Sequence, residues 1–214
     1  MTNANEAWPD LPYGAWRDTS ATLHLWTQIV GKIRLGQKPW LNHSWHCTLY
    51  VTPRGLTRSS IPHGDRTFGL TFDFIRHLLV VSSDDGVTKE IGLYPRTVAD
   101  FHAEVAGALS ELGHSVRIHE MPNEIPDAIP FSEDLTHASY DPVYAERHWR
   151  ALVQIDHVFK RFRSSFLGKS SPVHFFWAAS IWPSHASRDE RRRSILVASP
   201  IFQMRLRRRL IVTR

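Results

Sequence analysis

Phe68, Leu70, Phe72 and Phe74 alternate strictly with Gly69, Thr71 and Asp73, the two-residue period of a strand that buries one face. No other stretch constrains the fold as much, because such a strand needs hydrogen-bonded neighbours and a second layer over its apolar side. The neighbours are close in sequence. Leu78 to Ser82 and Val87 to Leu93 flank Asp84-Asp85-Gly86, a hairpin turn in which glycine supplies the positive φ. Upstream, Ser44 to Thr52 is β-branched and aromatic and stops at Pro53 and Gly55, which predicts another strand. A meander of about four strands is expected, with Asp73 facing solvent.

The covering layer is helical. Leu23, Trp26, Ile29, Val30 and Ile33 share one face of a helix predicted from Ser20 to Leu35, capped by Asp18 or Thr19 and stopped by Gly36. Thr97 caps a second helix to Leu112, with Asp100 in the capping-box position and Gly113 after its end. Asp141-Pro142 opens a third, with a stripe of Tyr144, His148, Leu152, Ile155, Phe159, Phe162 and Phe166. Closed by Gly168, it would run for about 26 residues and about 39 Å. Asp156 and His157 read as its polar flank. Ser115 to Met121 and the apolar run Val173 to Trp177 read as further strands, separated by a loop containing Pro122, Pro126 and Pro130. Together these elements predict one α+β domain with a mainly antiparallel sheet packed by about three helices.

Charge is unevenly spread over the 214 residues, whose net value is +5. Residues 178 to 214 hold nine Arg, no Lys, one Asp and one Glu, a net +7, so residues 1 to 177 carry −2. Arg191-Arg192-Arg193 and Arg207-Arg208-Arg209 could form a basic arm for nucleic acid. Cys47 is the only cysteine, which excludes an intramolecular disulfide and a multi-cysteine zinc site and suits a reducing compartment. With no signal-peptide pattern and no apolar run long enough for a membrane span, a cytoplasmic protein that does not enter a membrane is expected.

Four segments, WPDLPYGAWRDTSATLHLWTQIVGKIRL, PWLNHSWHCTLYVTPRGLT, IPFSEDLTHASYDP and GKSSPVHFFW, together resemble a bacterial family known only as a domain of unknown function. The resemblance covers Trp8 to Trp177 and brings no activity, cofactor or catalytic residue with it. Members of that family continue past HFFW with a sequence like GSFDLAVTRFSGR, then HPGGVPNLPD and EAYSHE, whereas this chain departs at Ala178.

The genetic code connects the two continuations. Ile181-Trp182-Pro183 is encoded ATH-TGG-CCN, so a frame starting one nucleotide earlier reads HTG, which permits Leu, and GCC, which is Ala. Ser184 to Asp189 permits Val-Thr-Arg-Phe-Ser-Gly, Leu196 to Phe202 permits Pro-Gly-Gly-Val-Pro-Asn-Leu, and Arg209 to Arg214 permits Glu-Ala-Tyr-Ser-His-Glu. The expectation is a domain of residues 1 to 177 lacking its natural C-terminal part, followed by an out-of-frame segment, 178 to 214. Nucleic acid is then not an expected partner.

The candidate chemistry rests on histidine. His46-Cys47-Thr48-Leu49 fits the H-x-[ST]-Φ pattern of two-histidine phosphoesterases, with His137-Ala138-Ser139-Tyr140 as its second copy. In those enzymes both copies lie on strands, while HASYDP precedes a helix and assigns Asp141 to its cap. His43 and His46 stand three apart, which suits a turn better than a chelating pair. His174 in its apolar run suits a hydrogen-bonded core residue as well as a ligand. Gly168-Lys169-Ser170-Ser171 lacks the upstream glycine of a phosphate loop. The trio of the His46 strand, the HASYD loop and the His174 strand is expected to converge. His46, Thr48, His137, Ser139, Asp141 and His174 are therefore the candidate catalytic residues, in a small-molecule binder or a His-dependent, optionally metal-assisted enzyme. Cofactor and metal are not specified by the sequence. A nucleic-acid-binding protein with a basic arm, and an inactive truncated fragment, are the competing readings.

Overall fold

The computed structural model describes residues 8–57 and 60–177, together with the backbone of two short strands at 181–184 and 195–198. The Arg-rich runs at 191–193 and 207–209 lie outside the described residues.

A six-stranded antiparallel sheet is built from β1 (Tyr50–Thr52), β2 (Gly55–Thr57), β3 (Ile61–His63), β4 (Arg66–Asp73), β5 (Leu78–Ser83) and β6 (Thr88–Gly92). Its order is β1-β2-β4-β5-β6, with β3 also paired to β4. The alternation in β4 produces the expected one-sided burial. Register places Leu56 opposite Phe72, Phe72 opposite Leu79 and Leu79 opposite Ile91, an apolar row that crosses four strands and is wholly buried. On the other face Thr57 and Thr71 hydrogen-bond through their hydroxyls at 2.7 Å. At the β5–β6 hairpin Gly86 has φ +86, and Asp84 and Asp85 accept from the Thr67 and Val87 amides. Arg66 pairs with both carboxylates, tying the hairpin to β4.

Three helices cover the apolar face: α1 (Tyr13–Gln37), α2 (Val98–Glu111) and α3 (Pro142–Ser164). Thr97 caps α2 by accepting from the Asp100 amide, and its hydroxyl donates to the Asp100 carboxylate. Asp141 caps α3 by accepting from the Val143 and Tyr144 amides, with Pro142 in the first turn. Helix α1 is the centre of the domain, packed by α2, α3 and the irregular segments. Two further strands, β7 (Ile181–Ser184) and β8 (Ile195–Ala198), pair with each other antiparallel.

Several expectations are corrected. Helix α1 begins well before Ser20, at Tyr13, and its N-cap Pro12 offers no side-chain hydrogen bond. Asp18 instead pairs with Arg17, and the Thr19 hydroxyl accepts from the Asp141 amide. Ser44 to Thr52 is not one strand. Asn42–Cys47 is a 3₁₀ turn with Ser44 at φ +57, and the ladder begins only at Tyr50. Ser115 to Met121 forms no strand; its partly buried Val116 and Ile118 pack on the core, and its Glu120 carbonyl accepts from the Phe131 amide. In Val173 to Trp177 the pairing described is a bridge between Phe175 and Leu49.

Helix α3 ends at Ser164, and its buried stripe is Ala145, Trp149, Leu152, Asp156 and Phe159, rotated by one residue from expectation, with Phe162 exposed. On that stripe Trp149 donates its indole N–H to the Thr52 carbonyl at 3.1 Å. Asp156 is thus buried beside Lys160 rather than on a polar flank. Asp73 is buried too. Its carboxylate accepts from the Ile75 and Arg76 amides and from Arg54, turning the β4–β5 connection.

Candidate functional site

The segment 131–141 has no regular structure, yet its polar groups are bonded again and again to the elements around it. Tyr140 stacks on Trp26 of α1 at 5.5 Å, and Trp26 stacks in turn on Phe101 of α2 at 4.6 Å. The Tyr140 hydroxyl meets His77 Nδ1 at 2.9 Å, and burial followed by the nearby Asp141 charge raises its pKa. Ser139 donates its amide to Thr22, and its hydroxyl lies 3.4 Å from that of Thr19. These contacts fasten the loop to one face of α1.

The same loop places a carboxylate and an imidazole together. Asp134, with its side chain 1% exposed, accepts from the Thr136 and His137 amides through Oδ1 at 3.0 and 3.1 Å. Its Oδ2 accepts from His137 Nδ1 at 2.7 Å. In the neutral ring, a carboxylate in that position selects the Nδ1–H tautomer and leaves the lone pair on Nε2. The His137 side chain is 35% exposed, so the ring is partly accessible to solvent. The loop is held from behind by α2, whose Val98 and Ala99 amides donate to the His137 and Asp134 carbonyls. Those amides and that of Asp100 are thereby occupied, so the first turn of α2 offers no oxyanion hole.

His46, Thr48 and His174 form a different group. His46 is 1% exposed and its Nδ1 accepts from the Leu41 amide. The Thr48 hydroxyl donates to the Trp45 carbonyl and lies 3.3 Å from His174 Nδ1, all within the core. Trp45 and Tyr50 pack on the His174 ring at 5.2 and 5.6 Å. Trp177, at the end of this segment, sits against Gly31 and receives a hydrogen bond from His24 on its carbonyl.

The six candidates therefore do not converge. Thr19 and Thr22 hold the 137–141 group while His24 and Gly31 meet the 174–177 segment. At 3.6 residues per turn these two faces of α1 lie roughly 160° apart. Asp141 is a helix cap and Ser139 a loop anchor. Neither copy of the H-x-[ST]-Φ pattern lies on a strand: the first runs through the 3₁₀ turn and the second through the loop. Among the described residues no three His, Cys, Asp or Glu gather as metal ligands.

Asp134 is the residue that sequence reading missed. Its signal was the D-x-x-H spacing, in which an Asp side chain can bond the amides two and three residues on and also reach the ring. Two other groups were missed. Lys32 is buried, donates to the Met121 carbonyl at 2.7 Å and Asn123 Oδ1 at 2.9 Å, and has its pKa lowered by burial. His148 lines a cavity of about 30 Å³ with Trp16, Ser20, His24, Thr27 and Phe175. That volume admits a water or two, not a metabolite.

Burial holds His148 down at about 4, against 6.5 when free, and also lowers His102 and His114. A histidine kept neutral in the fold lets the unfolded chain take up the proton first as pH falls. Stability is therefore expected to be constant above about pH 6.5 and to drop, on the order of 2–3 kcal/mol from His148, by pH 4. Urea denaturation at pH 7.5 and 4.5 checks this, with His148→Phe flattening the dependence.

A one-sided antiparallel sheet with three helices on its apolar face defines a single α+β domain. The chain belongs to a family of unknown function, DUF5996, whose model matches residues 8–180. Comparison with curated proteins and with solved structures gives no match. Among the described residues no helix is long and apolar enough to cross a membrane.

Proposed function

We propose that the protein is an enzyme acting on a small molecule, with His137 Nε2 as general base and Asp134 as the group that positions it. One observation carries the reading: a fully buried carboxylate fixes His137 Nδ1 while the ring stays accessible. A carboxylate placed only to cap the loop would not need to bond the ring. Among the described residues no Ser, Thr or Cys hydroxyl or thiol bonds to His137, and Cys47 donates its thiol to the Ser44 carbonyl. Activation of water or direct proton removal from substrate therefore fits better than covalent catalysis.

Hydrolysis of p-nitrophenyl acetate and bis(p-nitrophenyl) phosphate tests this. His137→Ala is expected to lower the rate by about 10²–10⁴-fold on at least one of the two. An unchanged rate on both, or no rate above free imidazole, would remove the proposal.

We also propose that residues 178–214 are translated out of frame. The family match ends at residue 180, close to Trp177, where the charge balance changes sign. Sequencing the DNA across codon 178 decides it: stop codons in the earlier frame, or failure to encode FDLAVTRF there, sink the idea.

A further inference from the structure

The outer face of α3 is both apolar and cationic. Gln154, His157, Val158, Arg161, Phe162 and Ser165 follow helical spacing and, with Trp8, line a groove of about 590 Å³. Trp8 and Val158 are each 58% exposed, Phe162 47%, and nearby Leu167 fully exposed. Surface aromatics gathered in one groove mark an interaction site. Charge along this stretch of α3 and the turn after it has one sign, although Asp10 is exposed two residues from Trp8. From His157 to Lys169 the chain has Lys160, Arg161, Arg163 and Lys169 and no acidic residue. Asp156, the nearest carboxylate on the helix, is buried and paired with Lys160. Among the described residues neither Arg161 nor Arg163 joins an ion pair, and the Arg163 guanidinium donates to the Ser170 hydroxyl.

We propose that this groove docks an acidic, apolar segment of a partner protein, its hydrophobic side chains set between Trp8, Val158 and Phe162 and its carboxylates on Arg161 and Arg163. Charge selects that occupant. The chain's own residues 178–214 carry +7 and would be repelled. A second copy would bring the same cationic patch against itself about a two-fold axis. A lipid surface prefers a protruding face, whereas a concave groove on a helix suits a peptide helix with anchors at i, i+3, i+4 and i+7.

The test uses the full chain and a helical peptide of about 18 residues with Leu at those anchor positions and Glu elsewhere, followed by fluorescence anisotropy. Micromolar binding that weakens at least tenfold with added salt, with Arg161→Glu and with Phe162→Asp is expected. Both altered residues are exposed, so the variants should fold, and circular dichroism verifies it. Equal binding of a Lys-for-Glu peptide, or no loss with Arg161→Glu, overturns the proposal. So does binding to phosphatidylserine vesicles without peptide binding, or self-association abolished by Phe162→Asp.

Discussion

An Asp134→Asn variant is expected to fold and yet to lose about 10²–10⁴-fold of the His137-dependent hydrolytic rate. The amide keeps an oxygen for the Thr136 and His137 amides, which Asp134 bonds through Oδ1. The position of Oδ2, 2.7 Å from His137 Nδ1, is then taken by an NH₂ donor. The ring must present a lone pair to it, so Nδ1 becomes the acceptor and Nε2 gains the proton. That leaves no base toward solvent. The loss should fall on kcat, with KM nearly unchanged, because the substrate meets the same surface. Asp134→Ala makes a poorer test, since it removes three hydrogen bonds from a buried turn and would cost about 3–5 kcal/mol of stability.

The second large effect is structural. A Cβ built on Gly55 would lie 1.9 Å from the Phe72 carbonyl oxygen and 2.9 Å from its carbon. Phe72 is wholly buried in the central strand β4, so no flexible side chain can yield. Gly55→Ala is expected to destabilise the domain by about 3–5 kcal/mol, a large part of the total for a domain this size. A Cβ added to Gly107, within α2, would meet nothing within 4 Å. Gly107→Ala should therefore stabilise by about 0.5–1 kcal/mol, through helix propensity alone. Thermal unfolding of the two variants side by side gives opposite signs, and a shared sign would refute the packing described for β2 on β4.

Where local rules act alone, the fold was legible. The Phe68 to Phe74 alternation, the Asp84-Asp85-Gly86 hairpin, the Thr97–Asp100 cap and the Asp141-Pro142 start each depend on neighbours within a few residues. Helix α1 was less legible because its buried face is polar as well as apolar. Thr22, Gln28 and Lys32 are buried through bonds to Ser139, Asn123 and Met121, about 90 to 120 residues away, which no periodicity reports. His46 and His174 looked available because their types carry chemistry. Burial at 1% and 2% is a property of the packed core and was invisible in spacing. The Asp134–His137 pair is local, and its spacing was readable, but the exposed ring and the buried carboxylate that give it direction come from docking of the loop on α1 and α2.

The tautomer of His137 is the most direct measurement. Long-range ¹H–¹⁵N correlation of the imidazole at pH 7.5 should show a protonated Nδ1 and a bare Nε2 in the native chain, reversed in Asp134→Asn. A native ring with its proton on Nε2, or one unaltered by Asp134→Asn, would contradict the assignment of His137 as a base positioned by Asp134.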